Sequence, residues 1–246
     1  MATFVMVHGG HMGGWCWRRV RDQLTARGHN VYAPSLTGAG SRAHLLTQQV
    51  TMQTHVQDIV SLIMTFDLQD VLLVGHSYGT WISTQVVDRV QERIAHFVCL
   101  DGQLFRDGES GMSTRTEEQR QQLWDLAKKH GQGWKMPVPP RKSPLFNDFT
   151  DEVWDWTQPR LAPMSMDWFE TGVSAKRFWE VRIPGTMVRC RQAPFNRDGG
   201  KFPISRAEEL GWAVEWIDAG HFCMLTKPLE TAQILDAISA RVQARA

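Results

Sequence analysis

Short runs of apolar residues alternate along this chain with stretches whose apolar positions recur every three or four residues. Six runs read as strands: TFVMVHG (3–9), NVYAPSL (30–36), DVLLVGH (70–76), IAHFVCLDG (94–102), GTMVRC (185–190) and AVEWIDAG (213–220). Between them, residues 15–28, 51–66, 80–90 and 230–243 read as helices. The second of these places Val56, Ile59, Val60 and Ile63 on one face, and Gly28 is the stop signal of the first. Strands without polar alternation, separated by helices, predict a parallel sheet buried on both faces. The expected strand order is second, first, third, fourth, fifth, sixth. The rhythm breaks after the fourth strand. Residues 1–102 and 184–246 are therefore expected to form the core domain, and 103–183 an inserted helical lid. A connection of that length is usually functional or disordered, and its aromatic content argues for order.

Composition narrows the classes of function. The chain has 246 residues and a formal charge of +1, and its basic residues form no long run. No nucleic-acid partner and no membrane partner are expected. The N-terminus lacks the basic start of a secretory signal. No stretch approaches the ~20 apolar residues of a membrane span. Cys16, Cys99, Cys190 and Cys223 show no paired spacing, which suits reduced thiols and a cytoplasmic location. The expected partner is a small-molecule substrate. A homodimer is compatible with the sequence, which does not itself name an oligomeric state.

Candidate chemistry begins at Gly75-His76-Ser77-Tyr78-Gly79. A strand, then Gly-x-Ser-x-Gly, then a helix is the pattern that presents a serine on a sharp turn. By itself it also describes a plain strand-to-helix turn with a solvated serine. A nucleophilic serine needs a base later in the chain, and His96, His130 and His221 follow Ser77. His96 lies within a strand and reads as a packed residue. His130 lies beside two lysines and reads as solvated. His221 follows the last strand on a short loop, where a base can reach the turn. The developing oxyanion needs backbone donors. Tyr78 supplies one as the residue after the serine. Gly10, in the glycine-rich loop VHGGHMGGWCW after the first strand, supplies the other. That loop does not have the spacing of a phosphate-binding or dinucleotide-binding motif.

The acid is less clear. It would usually follow the fifth strand, where Arg191-Gln192-Ala193 offers no carboxylate. Asp101, at the end of the fourth strand, has rigid support next to the nucleophile strand and is preferred. Asp198, in NRDGG, would need the chain to fold back and stays the alternative. Asp218 ranks last.

With VHGGHMGGWCW, GHSYG, LDGQLFRDGES and AGHFCML in view, the chain resembles the α/β-hydrolase superfamily over nearly its whole length. The resemblance is to the small branch of EstC-type esterases, plant methyl esterases and hydroxynitrile lyases. It implies the α/β-hydrolase fold with a helical cap. It also implies Ser77 as nucleophile, His221 as base, Gly10 and Tyr78 as oxyanion donors, and an acid at the LDG position, Asp101. Three positions depart from the pattern. Phe222 stands where the lyases have a lysine, Gly9 where they have a threonine, and Thr80 where a second glycine is common. The first two disfavour cyanohydrin cleavage.

Six of the eleven tryptophans fall in the inserted segment: Trp124, Trp134, Trp154, Trp156, Trp168 and Trp179, with Met136, Met164 and Met166. They can form the segment's own core or wall a pocket for a bulky apolar or aromatic group. The expected function is hydrolysis of a carboxylic ester or lactone through an acyl-enzyme on Ser77, with no metal or organic cofactor. Two rivals stay open: a C–C lyase or biosynthetic cyclase that uses His221 as base, and a small-molecule binder without turnover.

Overall fold

The computed structural model describes residues 1–196 and 203–244. Its central sheet has six parallel strands in the expected order, β2-β1-β3-β4-β7-β8. These are β1 (Thr3–Val7), β2 (Asn30–Tyr32), β3 (Val71–His76), β4 (Ile94–Leu100), β7 (Gly185–Cys190) and β8 (Ala213–Ile217). Side chains of successive strand residues point to opposite faces, and both faces are covered. Val5, Val7, Leu73, Phe97, Cys99 and Met187 join one apolar cluster, with α2 (Met52–Thr65) and α3 (Tyr78–Val90). Phe4, Met6, Leu72, Val74, Val98, Leu100 and Val188 join the other, with α1 (Arg18–Ala26) and α10 (Pro228–Gln243). Burial on both sides is why these strands carry no polar alternation.

Element ends differ from expectation for identifiable reasons. β2 stops at Tyr32 because Ala33 precedes Pro34, which has no N–H for the ladder. β4 stops at Leu100 because Asp101 turns to φ 43°. The helix after Ser77 begins at Tyr78, two residues earlier than its pattern suggests. The closing helix begins at Pro228, where proline suits the first helical position. A short helix, α9 (Cys223–Thr226), precedes it.

Between β4 and β7 lie α4 (Glu117–His130), α5 (Asp151–Thr157), α6 (Asp167–Glu170) and α7 (Lys176–Val181). Thr116 and Gln119 form a capping box at the start of α4. A two-stranded antiparallel pair, β5 (Lys135–Met136) with β6 (Met164–Ser165), joins distant parts of this segment. Its two-residue strands are too short to show in the sequence pattern. Met136, Met164, Met166 and Trp168 pack into the cluster of α2 and α3, and Phe146 and Phe149 into that of α1 and α10. The insertion thus contributes to both layers. A last short helix, α8 (Ser205–Glu209), precedes β8. Among the described residues, no helix is long and apolar enough to cross a membrane.

Candidate active site

Ser77 sits between β3 and α3 at φ 53°, ψ −120°, a conformation disfavoured for a residue with a Cβ. Its N–H donates to Leu100 O at 3.2 Å, and its carbonyl accepts from Thr80 N–H at 3.0 Å. The flanking glycines answer to close approach. A Cβ on Gly75 would lie 2.7 Å from Gly79 O, and one on Gly79 would lie 2.4 Å from Val7 O. Thr80 is accommodated in the same way. Its hydroxyl donates to Gly75 O at 3.0 Å, and it fills the space where a Cβ on Gly102 would fall, 1.9 Å from Thr80 Oγ1.

The structure brings Ser77, His221 and Asp101 together. His221 Nε2 lies 3.0 Å from Ser77 Oγ, and His221 Nδ1 lies 2.6 Å from Asp101 Oδ2. Asp101 is fully buried at the end of β4, and its N–H donates to Val188 O of β7 at 2.7 Å. Its second oxygen, Oδ1, accepts from Cys190 N–H at 3.1 Å and from the Asn196 amide at 2.7 Å. Burial pushes the Asp101 carboxyl up. The hydrogen bond and charge of His221, the Arg189 guanidinium and the Cys190 N–H outweigh it and hold the group below the ordinary carboxylate value. An ionised Asp101 accepts only, so Nδ1 of His221 carries the ring proton. Nε2 is then the acceptor facing the Ser77 hydroxyl.

Three elements fix the base loop. His76 of β3 donates from Nε2 to the His221 carbonyl at 2.8 Å, and burial pushes its imidazole down to about 3. Asp148 of the insertion accepts from Gly220 N–H at 2.6 Å and from the Thr226 hydroxyl at 2.7 Å. Phe222 stacks on Phe146 of the insertion at 5.5 Å.

The oxyanion side is held differently. His8 Nδ1 donates to Gly9 O at 2.8 Å, and its Nε2 accepts from Leu36 N–H at 3.1 Å. This neutral ring fixes the turn ahead of Gly10, and burial pushes it down to about 4. A Cβ on Gly10 would meet Met164 Sδ of the insertion at 2.6 Å. His11 is tied to the insertion by Ala162 N–H donating to His11 O and His11 Nδ1 donating to Ala162 O, both at 3.0 Å. Tyr78 opens α3, so its N–H has no acceptor within the helix. Its hydroxyl donates to His55 Nδ1 at 2.9 Å, and His55 Nε2 donates to Thr37 O at 2.8 Å. Trp168 of the insertion stacks on the Tyr78 ring at 5.4 Å and 15°.

The other residues singled out in the sequence lie elsewhere. His96 is buried and pairs with the Thr186 hydroxyl at 3.0 Å. His130 is exposed. Asp218 lies just past β8, exposed, and accepts from Gln192 at 2.9 Å. Asp198 lies outside the described residues. Of the six tryptophans, Trp168 alone is buried; the other five are half-buried. Trp134, Trp154, Trp156 and Trp179 lie under Lys or Arg side chains, and Trp124 donates to Glu170. Sequence reasoning missed Asn196, Arg189 and Asp148. Asn196 follows β7, where the pattern asks for a carboxylate, and nothing local marks an amide there.

The alpha/beta hydrolase family model matches residues 4–234. A carbendazim-hydrolysing esterase of Nocardioides sp. (strain SG-4G) is 33% identical over 97% of this chain and 100% of its own length. Methylesterase 8 of Arabidopsis thaliana is 33% identical over 37% of this chain and 34% of that protein. Among solved structures, an extracellular alpha/beta-hydrolase from a Paenibacillus species superposes with a TM-score of 0.84 at 22% identity, over 96% of this chain and 98% of that one. The last likeness bears on fold alone. With the sheet order, the turn at Ser77 and these matches together, the chain belongs to the alpha/beta hydrolase family, in its esterase-like branch.

Proposed function

We propose that this protein is a serine esterase that cleaves a carboxylic ester or lactone of a bulky apolar or aromatic small molecule. The observation that carries the reading is the hydrogen-bond chain from Ser77 Oγ through His221 to buried Asp101. A hydroxyl aimed at a neutral imidazole, itself oriented by a carboxylate, is an activated nucleophile. His221 Nε2 accepts the Ser77 proton as Oγ attacks the carbonyl carbon. The N–H groups of Gly10 and Tyr78 receive the oxyanion. His221 then gives the proton to the leaving alkoxide, and an acyl group remains on Ser77. Water, deprotonated by His221, releases the acid and restores Ser77. The whole-length similarity to an esterase supports hydrolysis. Trp168 against Tyr78 and Met164 against Gly10, both buried, put apolar side chains of the insertion on the oxyanion side, which supports an apolar substrate and a capping role for 103–183.

Incubation with a fluorophosphonate, followed by intact mass and peptide mapping, tests this without a known substrate. One adduct on Ser77, absent in His221→Ala, is expected. Folded protein that takes no adduct would overturn the reading in favour of non-ester chemistry or ligand binding.

A further inference from the structure

The end of β7 is where the acid of such a site would usually stand, and here it carries a cation and an amide. Arg189 is 1% exposed. Its guanidinium lies 4.0 Å from Asp101 Oδ1, donates to Gly102 O at 3.0 Å and also donates to Asn196 Oδ1. The Asn196 amide in turn donates to Asp101 Oδ1 at 2.7 Å and to Cys190 O at 2.9 Å. A continuous line therefore runs from guanidinium to amide, carboxylate, imidazole and hydroxyl.

We propose that Arg189 and Asn196 are positioning residues that hold Asp101 in place and, by offsetting its charge, set how readily His221 takes a proton. The proposal rests on the esterase reading and adds to it. A buried carboxylate beside an imidazole stabilises the imidazolium. A guanidinium on the far side of the carboxylate weakens that pull. It also makes the buried pair neutral overall, which lowers the cost of keeping Asp101 ionised away from water.

The groups that face this cluster come from several elements. His76 of β3 stands 4.7 Å from the His221 ring and is held neutral by burial. The Cys190 thiol of β7 is pushed up by its hydrogen bond to Cys223 of α9 and by burial, so it stays uncharged. Asp148 of the insertion meets the backbone of Gly220, on the other side of the base loop. Among the described residues, Arg189 supplies the permanent positive charge at Asp101.

The test is the pH dependence of fluorophosphonate modification of Ser77, followed by mass from about pH 5 to about pH 9. In Arg189→Met, the acid limb of the rate profile is expected to move up by roughly one pH unit. In Arg189→Lys, which keeps the charge, the limb should stay near the wild-type position at a lower plateau rate. In Asn196→Ala, the plateau should fall roughly tenfold, with a smaller upward shift of the limb. Circular dichroism and a thermal melt establish that each variant folds. If Arg189→Met does not fold, Arg189→Lys and Asn196→Ala decide. Wild-type protein labelled at Ser77, with limb and rate unchanged in the folded variants, overturns the proposal and leaves the esterase reading standing. Wild-type protein that takes no label overturns the esterase reading itself.

Discussion

The two sides of Ser77 are built from different materials. On the acid–base side, the buried Asp101 carboxylate is the centre of charge-assisted hydrogen bonds from His221, Cys190 N–H and Asn196, with one neutral bond from His76 to the His221 carbonyl. On the oxyanion side, the contacts are neutral imidazoles, an aromatic stack and a main-chain pairing between His11 and Ala162. The first side anchors Asp101 on the sheet and its base loop on both the sheet and the insertion. The second borrows much of its shape from the insertion, through Met164, Ala162 and Trp168. Proton transfer tolerates little displacement, so it is fixed by strands. The oxyanion side takes contacts from the insertion, where apolar and main-chain groups meet it.

This contrast can be broken by substitution. Ser77→Ala removes the group both sides serve. It should abolish adduct formation and lower kcat by roughly 10⁵- to 10⁶-fold against any ester found in a screen. Asp101→Asn changes the acid–base side alone. An amide can present a donor to Nδ1 and favour the wrong tautomer, so kcat should fall by roughly 10³- to 10⁴-fold with little change in KM. Survival of more than a tenth of the activity would detach Asp101 from the chemistry.

Acid should weaken both sides through their neutral rings. Burial holds His8 and His55 down to about 4 and His76 down to about 3. Unfolded, each would titrate near 6.5. The folded state therefore binds fewer protons than the unfolded chain between these values. The stability each ring contributes is complete above about pH 6.5 and is lost as pH falls towards the folded value, of the order of a few kcal/mol for each ring. Tm should fall steeply below about pH 6.5, and a flat Tm down to about pH 5 would contradict the assignment of three buried neutral rings. The smallest effect concerns the insertion. Trp168→Phe keeps a ring over Tyr78 but loses the indole N–H bond to Val50 O at 3.2 Å. It should cost about 1 kcal/mol of stability. KM should rise severalfold while kcat changes little; a kcat loss equal to that of Asp101→Asn would erase the distinction between the two sides.

What the sequence shows and hides follows the same division. The strands, the turn at Ser77 and the loop of His221 are legible because each depends on local pattern: apolar runs, two close-approach glycines, a histidine after the last strand. The pairing of Asp101 with His221 is legible as a preference, since the end of a neighbouring strand is a rigid place for an acid. Asn196, Arg189 and Asp148 are not legible. Their meaning comes from long-range contacts, and each reads locally as an ordinary polar residue. Gly102 is an intermediate case. It stands out in LDG, yet its reason, the space taken by Thr80, lies on another element. The antiparallel pair in the insertion is hidden because two residues carry no period.

The order of the site residues along the chain also bears on how the protein is made. Ser77 and Asp101 follow neighbouring strands, whereas His221 is separated from Ser77 by 144 positions and from Asp101 by 120. Chains emerge from synthesis N-terminus first and can begin folding as they emerge. Ser77 and its strand are therefore made well before His221. A nascent chain holds Ser77 without its imidazole partner until the segment carrying His221 has been made. Premature release before His221 would yield a sheet with an inert hydroxyl, not a half-active enzyme.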